Sequence, residues 1–316
     1  MGELLYLSRA DVERLLDLRE MLDALERALV AYSTGKASVP PRVAARAGER
    51  GILGAMPGYV SGVALEVKLV SVFPGNHERG LPSHQGLIAI FDEHDGSPLA
   101  LMDGTYITAM RTGGAAAVAA RALARDDASV LAILGAGVQG SSHLDTFALV
   151  RDFKEIRVAS RNREHAAALA QRHPAAHVAD SFQSAVQGAD VVACCTDARE
   201  PVLHRAWLAP GAHVSSVGGT WGPEVDAETV AASRVFVEWR GAATNAPPAG
   251  ASELQGIDAG SLTEVGEVLA GKHQGRRTRD EITLYKSTGF AVEDAAAARL
   301  VYDRAMRQGV GVKLSL

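Results

Sequence analysis

A glycine-rich turn follows a strongly apolar segment near the middle of the chain. The apolar segment covers residues 130–134, and the turn reads Gly-Ala-Gly-Val-Gln-Gly over residues 135–140. When such a turn joins a strand to a helix, its first glycine permits the tight turn and its second lets the backbone approach a pyrophosphate. The third glycine lets the helix pack closely on the strand, and the helix N-terminus attracts the anion. The turn therefore predicts a dinucleotide site.

The end of the next predicted strand distinguishes between two dinucleotides. That strand covers residues 156–160, and it is followed by Arg161, Asn162 and Arg163. NAD sites usually place an acidic residue about 20 positions beyond the glycines, where it binds the ribose 2′-hydroxyl. Here arginines could attract a 2′-phosphate, and Ser160 and Asn162 could donate hydrogen bonds to it. We expect NADP(H) to be preferred, with NAD(H) possible; alternatively, the arginines are only a solvated face at the start of a helix.

Three cations in the first third of the chain could bind a small anion. Arg42 follows two prolines, Lys68 lies in the middle of a predicted strand, and Arg111 lies just before the nucleotide-binding region. In that strand Glu66 and Lys68 face one side and apolar residues face the other. Arginine grips a carboxylate with two parallel hydrogen bonds, and lysine adds a point charge. Taken singly, each cation is more typical of a surface or salt-bridge residue, and only the three as a set favour an anion site.

The first third of the chain predicts an α+β arrangement. A capping-box pattern at Ser8 starts a short helix, and helical spacing of apolar residues predicts a longer one over residues 18–32. Residues 62–73 alternate as a strand, and residues 86–102 have the pattern of a hairpin.

The middle of the chain alternates between strands and helices. An alanine-rich helix over residues 105–125 leads into it. Strands are predicted at residues 130–134, 156–160, 190–195, 212–217 and 234–238. This alternation is typical of a parallel, doubly wound sheet. A last helix, over residues 294–308, needs an apolar surface to pack on, and we expect it to return to the first domain.

Composition excludes several classes of protein. A length of 316 residues suggests about two domains, and a net charge of −5 argues against nucleic-acid binding. The sequence shows no basic leader pattern, no apolar run of membrane-spanning length and no clustered metal ligands. The only two cysteines, Cys194 and Cys195, are adjacent, which disfavours a disulfide between them and fits a reducing compartment. We therefore expect a cytoplasmic protein without metal or membrane attachment.

Four motifs together resemble the ornithine cyclodeaminase/mu-crystallin family. They are Lys-Leu-Val-Ser-Val-Phe-Pro-Gly-Asn at 68–76, Thr-Ala-Met-Arg-Thr-Gly at 108–113, the glycine turn, and Lys-Ser-Thr-Gly-Phe-Ala-Val-Glu-Asp at 286–294. The motifs cover nearly the whole chain in order. The resemblance implies an α/β fold in which a Rossmann domain with a doubly wound parallel sheet, residues 113–290, is inserted in an α+β substrate-binding and dimerisation domain. That second domain comprises residues 1–112 and 291–316, and the resemblance implies a homodimer formed through it.

The resemblance also implies roles for individual residues. Arg42, Lys68 and Arg111 take substrate-carboxylate and ligand-binding roles. The residues implied in cofactor binding are Thr112, Gly135, Ala136, Gly137, Val138, Gln139, Ser160, Arg161, Asn162, Arg163, Thr196 and Val217.

Two departures from the family pattern narrow the chemistry. Cyclodeaminases carry an acidic residue just before a Met-Pro pair, where this chain has Gly54 ahead of Met56 and Pro57. Cyclodeaminases and related alanine dehydrogenases also carry an aspartate where this chain has Thr220, although Glu224 or Asp226 could enter the site instead. Oxidising an amino acid to an imine needs a base to accept the ammonium proton. Reducing a preformed imine mainly requires that the substrate be held and aligned.

The resemblance and its departures together predict an NADPH-dependent ketimine reductase. We expect it to reduce Δ1-pyrroline-2-carboxylate or Δ1-piperideine-2-carboxylate to proline or pipecolate. Arg42 and Arg111 would hold the carboxylate, Lys68 would bind the anion or relay a proton, and Thr220 would position the substrate or the nicotinamide. His84 could help supply protons, or it is an ordinary loop histidine. The alternatives are an ornithine cyclodeaminase, an alanine dehydrogenase, or a crystallin-like protein that binds a small ligand without turnover.

Overall fold

The computed structural model describes residues 2–315, with strands and helices numbered here in chain order. The strands are β1 (Glu3–Leu7), β2 (Ala37–Ser38), β3 (Val43–Arg46), β4 (Ile52–Val60), β5 (Ala64–Val72), β6 (His84–Phe91), β7 (Pro98–Asp103), β8 (Val130–Leu134), β9 (Glu155–Ala159), β10 (Ala176–Val178), β11 (Val191–Cys194), β12 (His213–Ser216), β13 (Ser233–Val237), β14 (Thr263–Glu264), β15 (Ile282–Lys286) and β16 (Val312–Ser315). The helices are α1 (Arg9–Leu15), α2 (Leu18–Ser33), α3 (Gly104–Leu123), α4 (Val138–Val150), α5 (Arg163–Ala170), α6 (Phe182–Val186), α7 (Ala227–Ala232), α8 (Gly241–Thr244), α9 (Val265–Leu269) and α10 (Ala291–Gln308).

The chain divides into two compact units. One combines the residues up to Arg111 with those from Ala291 onward, and we refer to it as the terminal unit. The other covers Thr112–Phe290 and is the central unit. No helix within residues 2–315 is both long enough and apolar enough to cross a membrane.

The terminal unit is built on a mostly antiparallel sheet. Its strand order is β16-β1-β7-β6-β5-β4-β2, and β3 pairs with β4. The β1–β7 pair is parallel, whereas β4, β5, β6 and β7 form an antiparallel meander. Helix α10 packs against α2 and against β4, β5 and β6. The core between these layers contains fully buried Met21, Leu25, Leu29, Ile88 and Ile90.

Strand β5 buries its charged side and exposes its apolar side. Glu66 and Lys68 are buried on the side that faces α10, whereas Leu69 on the other side is 40% exposed. Its cross-strand partner Leu87 is 44% exposed, and Leu53 on β4 is 53% exposed. Strands with one apolar and one polar side usually bury the apolar side. The reversal here is possible because Asp294 of α10 pairs with the buried Lys68.

The central unit contains an eight-stranded parallel sheet. Its strand order is β10-β9-β8-β11-β12-β15-β13-β14, so the order reverses direction at β8. Chains that wind outward in both directions from a central strand bind ligands at the carboxyl ends of the strands beside that reversal. Strand β8 runs directly into the glycine turn and α4. The predicted α/β fold with a Rossmann-type parallel sheet is therefore confirmed.

Candidate active site

Four charged side chains form a buried cluster in the terminal unit. Nζ of Lys68 lies 2.7 Å from Oδ2 of Asp294. Nε of Arg111 lies 2.9 Å from Oδ1 of Asp294, and its Nη1 lies 2.9 Å from Oε2 of Glu293. All four side chains are at most 4% exposed. Two of the three cations predicted from the sequence are thus joined through one aspartate, and each of the two buried cations has an acidic partner.

Local structure explains why the cluster forms. Alternation along β5 turns Lys68 toward α10, and the first turn of α10 supplies Glu293 and Asp294. Acidic residues in a first helical turn interact favourably with the helix dipole. Arg111 reaches the same acids from α3. The cluster therefore joins three elements that are far apart in the sequence.

The pKa values of the cluster differ from ordinary ones. Burial, and after it the nearby charge of Arg111, lower the pKa of Lys68 to about 8, although the charge of Asp294 opposes the shift. Burial alone would raise the pKa of Asp294, but the charges of Arg111 and Lys68 lower it overall. A lysine whose pKa is close to neutral can exchange a proton at physiological pH. This places Lys68 among the groups suited to acid–base chemistry.

The other two predicted substrate-side residues lie at the surface of the terminal unit. Arg42 is half-buried just before β3, and its charge contributes to the lowered pKa of Lys68. Arg42 thus acts electrostatically on the cluster. His84 is exposed at the start of β6, with its Nδ1 3.0 Å from Oγ of Ser83.

The glycine turn of the central unit has the geometry that a dinucleotide requires. Gly135 has a φ of 107°, and a Cβ there would lie 2.5 Å from the carbonyl oxygen of Cys195. A Cβ on Gly140 would collide with the carbonyl oxygen of Gly135. A Cβ on Gly137 would meet nothing within 4 Å, so open space lies in front of that backbone at the start of α4. The turn therefore fits an approaching pyrophosphate. Of the neighbouring predicted residues, Thr112 is buried in α3, Ala136 and Gln139 are half-buried, and Val138 is 70% exposed.

The residues predicted to determine the preference for NADP(H) over NAD(H) follow the end of β9. Arg161 is 84% exposed and lies 3.5 Å from a carboxylate oxygen of Asp197. Arg163 lies 3.1 Å from Asp180. Asn162 instead caps α5, because its side-chain oxygen accepts hydrogen bonds from two backbone N–H groups of the first turn. The hydroxyl of Ser160 accepts a bond from the Asn162 backbone, so this segment is a structured helix entry that displays two arginines.

A buried glutamate organises the carboxyl edge of the parallel sheet. Glu224 accepts hydrogen bonds from the backbone and hydroxyl of Thr196, from Ser216 Oγ and from the backbone of Gly218, at 2.6–2.8 Å. Val217, half-buried, lies between those last two contacts. The carboxylate therefore fixes the loops where two of the predicted cofactor-binding residues lie.

The acids close to Thr220 in sequence are committed to structural contacts. Glu224 is fully buried in the network above, and Asp226 caps α7 by accepting a bond from the Thr229 backbone. Thr220 itself is exposed in the loop after β12. Both acids, which the sequence left open as substitutes for the missing aspartate, are thus engaged by other groups.

Sequence reasoning missed a second buried ion pair in the central unit. Nζ of Lys286 lies 2.9 Å from Oε1 of Glu253 and also donates to Ser216 Oγ and the Gly218 carbonyl. It also missed that Asp294 pairs with Lys68 and Arg111 and that Glu293 pairs with Arg111. The two adjacent acids at the start of an alanine-rich helix were a usable signal. A helix of this composition is usually buried, and buried acids need cationic partners. Among the side chains that the structure describes, no group of three or more histidine, cysteine, aspartate or glutamate residues could hold a metal ion.

Comparison with known proteins gives consistent matches over the whole chain. The model of the ornithine cyclodeaminase/mu-crystallin family matches residues 3–309. The ketimine reductase mu-crystallin of Mus musculus is 40% identical over 90% of this chain and 91% of the relative. The structure of Thermococcus litoralis Delta(1)-pyrroline-2-carboxylate reductase in complex with NADH and L-proline has a TM-score of 0.92 and 37% identity, over 98% of this chain and all of that one. An archaeal alanine dehydrogenase dimer with bound NAD has a TM-score of 0.90 and 32% identity, over the full length of both chains.

Proposed function

Because the chain belongs to the ornithine cyclodeaminase/mu-crystallin family, we propose that it is an NADPH-dependent reductase of cyclic imino acids. The substrates would be Δ1-pyrroline-2-carboxylate or Δ1-piperideine-2-carboxylate, and the products proline or pipecolate. The observation that carries the choice of reduction over deamination is the state of the acids around Thr220. Glu224 and Asp226 are held by structural hydrogen bonds, and the residue aligned with the aspartate of cyclodeaminases is Thr220, whose side chain ends in a hydroxyl.

The residues of the terminal unit supply binding and a proton. Arg42 and Arg111 would hold the substrate carboxylate, because guanidinium groups match carboxylate geometry. Lys68 would donate a proton to the imine nitrogen, which a lysine with a pKa of about 8 can do near neutral pH. Thr220 would position the substrate or the nicotinamide, and His84 would assist proton supply. A bound dihydronicotinamide supplies the hydride.

The division of the chain into two units supports separate roles in substrate binding and cofactor binding. We assign substrate binding and dimerisation to residues 1–112 with 291–316, and cofactor binding to residues 113–290. The outward apolar side of the terminal sheet, with Leu53, Leu69 and Leu87 exposed, supports a homodimer formed there. The archaeal alanine dehydrogenase relative is itself a dimer.

The adjacent thiols support a location in a reducing compartment. Cys194 and Cys195 are both buried and unbridged. Burial raises the pKa of each thiol well above its ordinary value, so neither is a reactive thiolate. We assign the protein to the cytoplasm on this basis.

The preference for NADPH rests on Arg161 and Arg163, with the glycine turn at 135–140, Thr112, Thr196 and Val217 as the further binding residues. The test measures dissociation constants for NADPH and NADH by fluorescence titration. Arg161→Asp should weaken NADPH binding by roughly tenfold or more and leave NADH binding largely unchanged, because only NADPH carries the 2′-phosphate. Arg50→Asp, at an exposed turn of the terminal unit, is the matched control. A wild-type protein that prefers NADH would contradict the assignment.

The proposed activity is tested by following NADPH absorbance with a panel of substrates. Cyclic imino acids should be reduced, whereas pyruvate with ammonia should not drive cofactor oxidation. Release of ammonia from ornithine without net cofactor reduction would indicate a cyclodeaminase, and pyruvate-dependent turnover would indicate an alanine dehydrogenase. Tight NADPH binding with no turnover of any imine would indicate a ligand-binding protein.

A further inference from the structure

A buried ion pair lies beside the loop that follows β12 and has no role so far. We call residues 217–222 the Thr220 loop. Nζ of Lys286 lies 2.9 Å from Oε1 of Glu253 and donates to the carbonyl oxygen of Gly218 at 2.8 Å. The side chain of Lys286 is fully buried, and that of Glu253 is 2% exposed. The pair therefore holds the second residue of the loop from the interior of the central unit.

The next residue of the loop, Gly219, is held as well. Its carbonyl oxygen accepts hydrogen bonds from the backbone N–H and the hydroxyl of Ser252, at 3.1 and 2.7 Å. Gly219 has a φ of 89°, and a Cβ there would lie 2.5 Å from Oε2 of Glu253 and 2.8 Å from Nζ of Lys286. Only glycine lets the backbone adopt this conformation so close to the ion pair. Both carbonyl groups that immediately precede Thr220 are therefore fixed.

Stability alone does not account for this network. The attraction between a buried lysine and a buried glutamate often only offsets the cost of removing both from water. Among the described residues, no group donates a hydrogen bond to Oε2 of Glu253, and a buried oxygen without a partner adds to that cost. The carbonyl groups of Gly218 and Gly219 nevertheless both receive donors from the network. Such an arrangement is expected where the position of a short loop matters to a site.

The contacts separate cofactor-binding residues from Thr220. Glu224 accepts hydrogen bonds from the backbone and hydroxyl of Thr196 and from the backbone N–H that follows Val217. Ser252 instead holds the carbonyl group of the peptide unit that joins the loop to Thr220. A change at Ser252 should therefore disturb Thr220 and leave the two cofactor-binding residues in place.

The proposed reduction depends on where Thr220 is placed. Hydride transfer requires the reacting atoms to be aligned, and a small displacement of a positioning group lowers the rate steeply. The side chain of Thr220 is short, so the backbone decides where its hydroxyl lies. Three of the six residues of the loop are glycines, which give the backbone little conformational restraint of their own. The restraint must come from the network around it.

We propose that Ser252 and the Lys286–Glu253 pair are positioning residues that hold Thr220 for hydride transfer. The inference rests on the proposed function. These side chains do not touch the substrate, and they act through the backbone of residues 218–219. Their removal should therefore lower the rate of the chemical step more than it weakens the binding of substrate or cofactor.

The kinetic test uses Ser252→Ala, which removes one donor to the loop and leaves the ion pair intact. Lys286→Met is less suitable, because it would leave Glu253 buried without its counter-charge and could prevent folding. We expect Ser252→Ala to lower kcat for imine reduction by roughly fivefold or more. The KM for the imine, the dissociation constant for NADPH and the melting temperature should change little.

The matched control is Ser261→Ala. Ser261 also donates its hydroxyl to a backbone carbonyl, that of Asp258 at 2.7 Å, but it is exposed and far from the loop in sequence. This variant should keep the kcat of the wild type. A Ser252→Ala enzyme with the kcat of the wild type, or with a loss confined to NADPH affinity or to melting temperature, would overturn the inference while leaving the proposed function intact.

Two further measurements separate positioning from a general packing role. Adding Ser252→Ala to a Thr220→Ala enzyme should cause little further loss of kcat, because the side chain that Ser252 positions is already absent; additive losses would contradict the inference. Hydrogen–deuterium exchange of the cofactor-free Ser252→Ala protein should be faster in residues 217–222 and unchanged elsewhere, and an unchanged loop would also overturn it. A wild-type protein that reduces no imine would overturn the proposed function and this inference together.

Discussion

Lys68 combines almost complete burial with a direct ion pair at 2.7 Å to Asp294. Its amine is therefore charged only because neighbouring acids offset the loss of water. The same arrangement makes its charge sensitive to pH in the range where enzymes work, since burial beside Arg111 lowers its pKa to about 8.

The pH dependence of imine reduction should report on Lys68. The ammonium form is present below about pH 8 and is lost as the pH rises through that value, so kcat/KM should decline on the alkaline side. Lys68→Arg keeps a positive charge at all these pH values, because arginine does not lose its proton. Substrate affinity in that variant should no longer weaken near pH 8, although kcat should be low. An unchanged decline in substrate affinity would assign the titration to another group.

Removing the shared acid should destabilise the terminal unit strongly. Asp294→Asn leaves Lys68 and Arg111 buried without their common counter-charge, which should lower the free energy of unfolding by roughly 3–5 kcal/mol. Asp303→Asn on the same helix breaks an exposed pair with Arg299 and should cost about 0.5 kcal/mol or less. Urea denaturation of both variants makes the comparison. Equal losses would mean that the buried network adds no more than a surface pair.

At the scale of elements, the strand–turn–helix at β8 and α4 shows how glycines divide between folding and binding. Gly140 lies where any side chain would strike the backbone of Gly135, whereas Gly137 faces open space. The two positions have the same residue type for different reasons. The same substitution, glycine to alanine, can therefore distinguish the folding role of Gly140 from the binding role of Gly137.

Alanine substitutions should separate the two roles. Gly140→Ala should lower the free energy of unfolding by roughly 1–3 kcal/mol, because α4 must move away from β8. Gly137→Ala should leave the melting temperature nearly unchanged but weaken NADPH binding by about tenfold or more, because the methyl group occupies space meant for the pyrophosphate. Melting curves and fluorescence titrations of the two variants provide the measurement. A Gly137→Ala protein that binds NADPH like the wild type would show that the open space has another purpose.

The elements also show how far the sequence could predict the molecule. The glycine turn and five strands of the parallel sheet are encoded in local spacing and periodicity, and those five were predicted to within a residue or two. Strands β10, β14 and β15 of the same sheet were not predicted. The ion pair between Lys68 and Asp294 joins residues 226 positions apart, and no local pattern reveals it. Glu66 was assigned correctly to the side of Lys68, but alternation alone does not say which side of a strand is buried. Strands β1 and β16, which lie at one edge of the terminal sheet, were not predicted because both are short and β16 is exposed along its length.

At the scale of the whole molecule, the exposed apolar side of the terminal sheet supports assembly. Leu69 and Leu87 face each other across β5 and β6 and remain about two-fifths exposed. Clusters of exposed apolar residues on a protein commonly mark an interface. A homodimer covering this face would explain why β5 turns its apolar side outward.

Charge placed on that face should prevent association. Leu69→Glu combined with Leu87→Glu should shift the protein from dimer to monomer in sedimentation analysis, because burying two carboxylates without partners is costly. Met306→Glu, on an exposed position of α10, is the matched control and should leave the oligomeric state unchanged. A double variant that sediments like the wild type would place the interface elsewhere.

Because these paired residues are so far apart in the sequence, they also determine the order in which parts of the chain can fold during synthesis. Lys68 and Arg111 leave the ribosome long before Asp294 and Glu293, and the whole central unit is synthesised in the interval. Domains generally fold as units while synthesis proceeds, so the central unit can form its sheet first. The terminal unit cannot complete its core until α10 has been synthesised, and until then the charges of Lys68 and Arg111 stay in water. A chain that stops before residue 291 therefore carries every cation of the predicted substrate site and none of the acids that allow Lys68 and Arg111 to be buried.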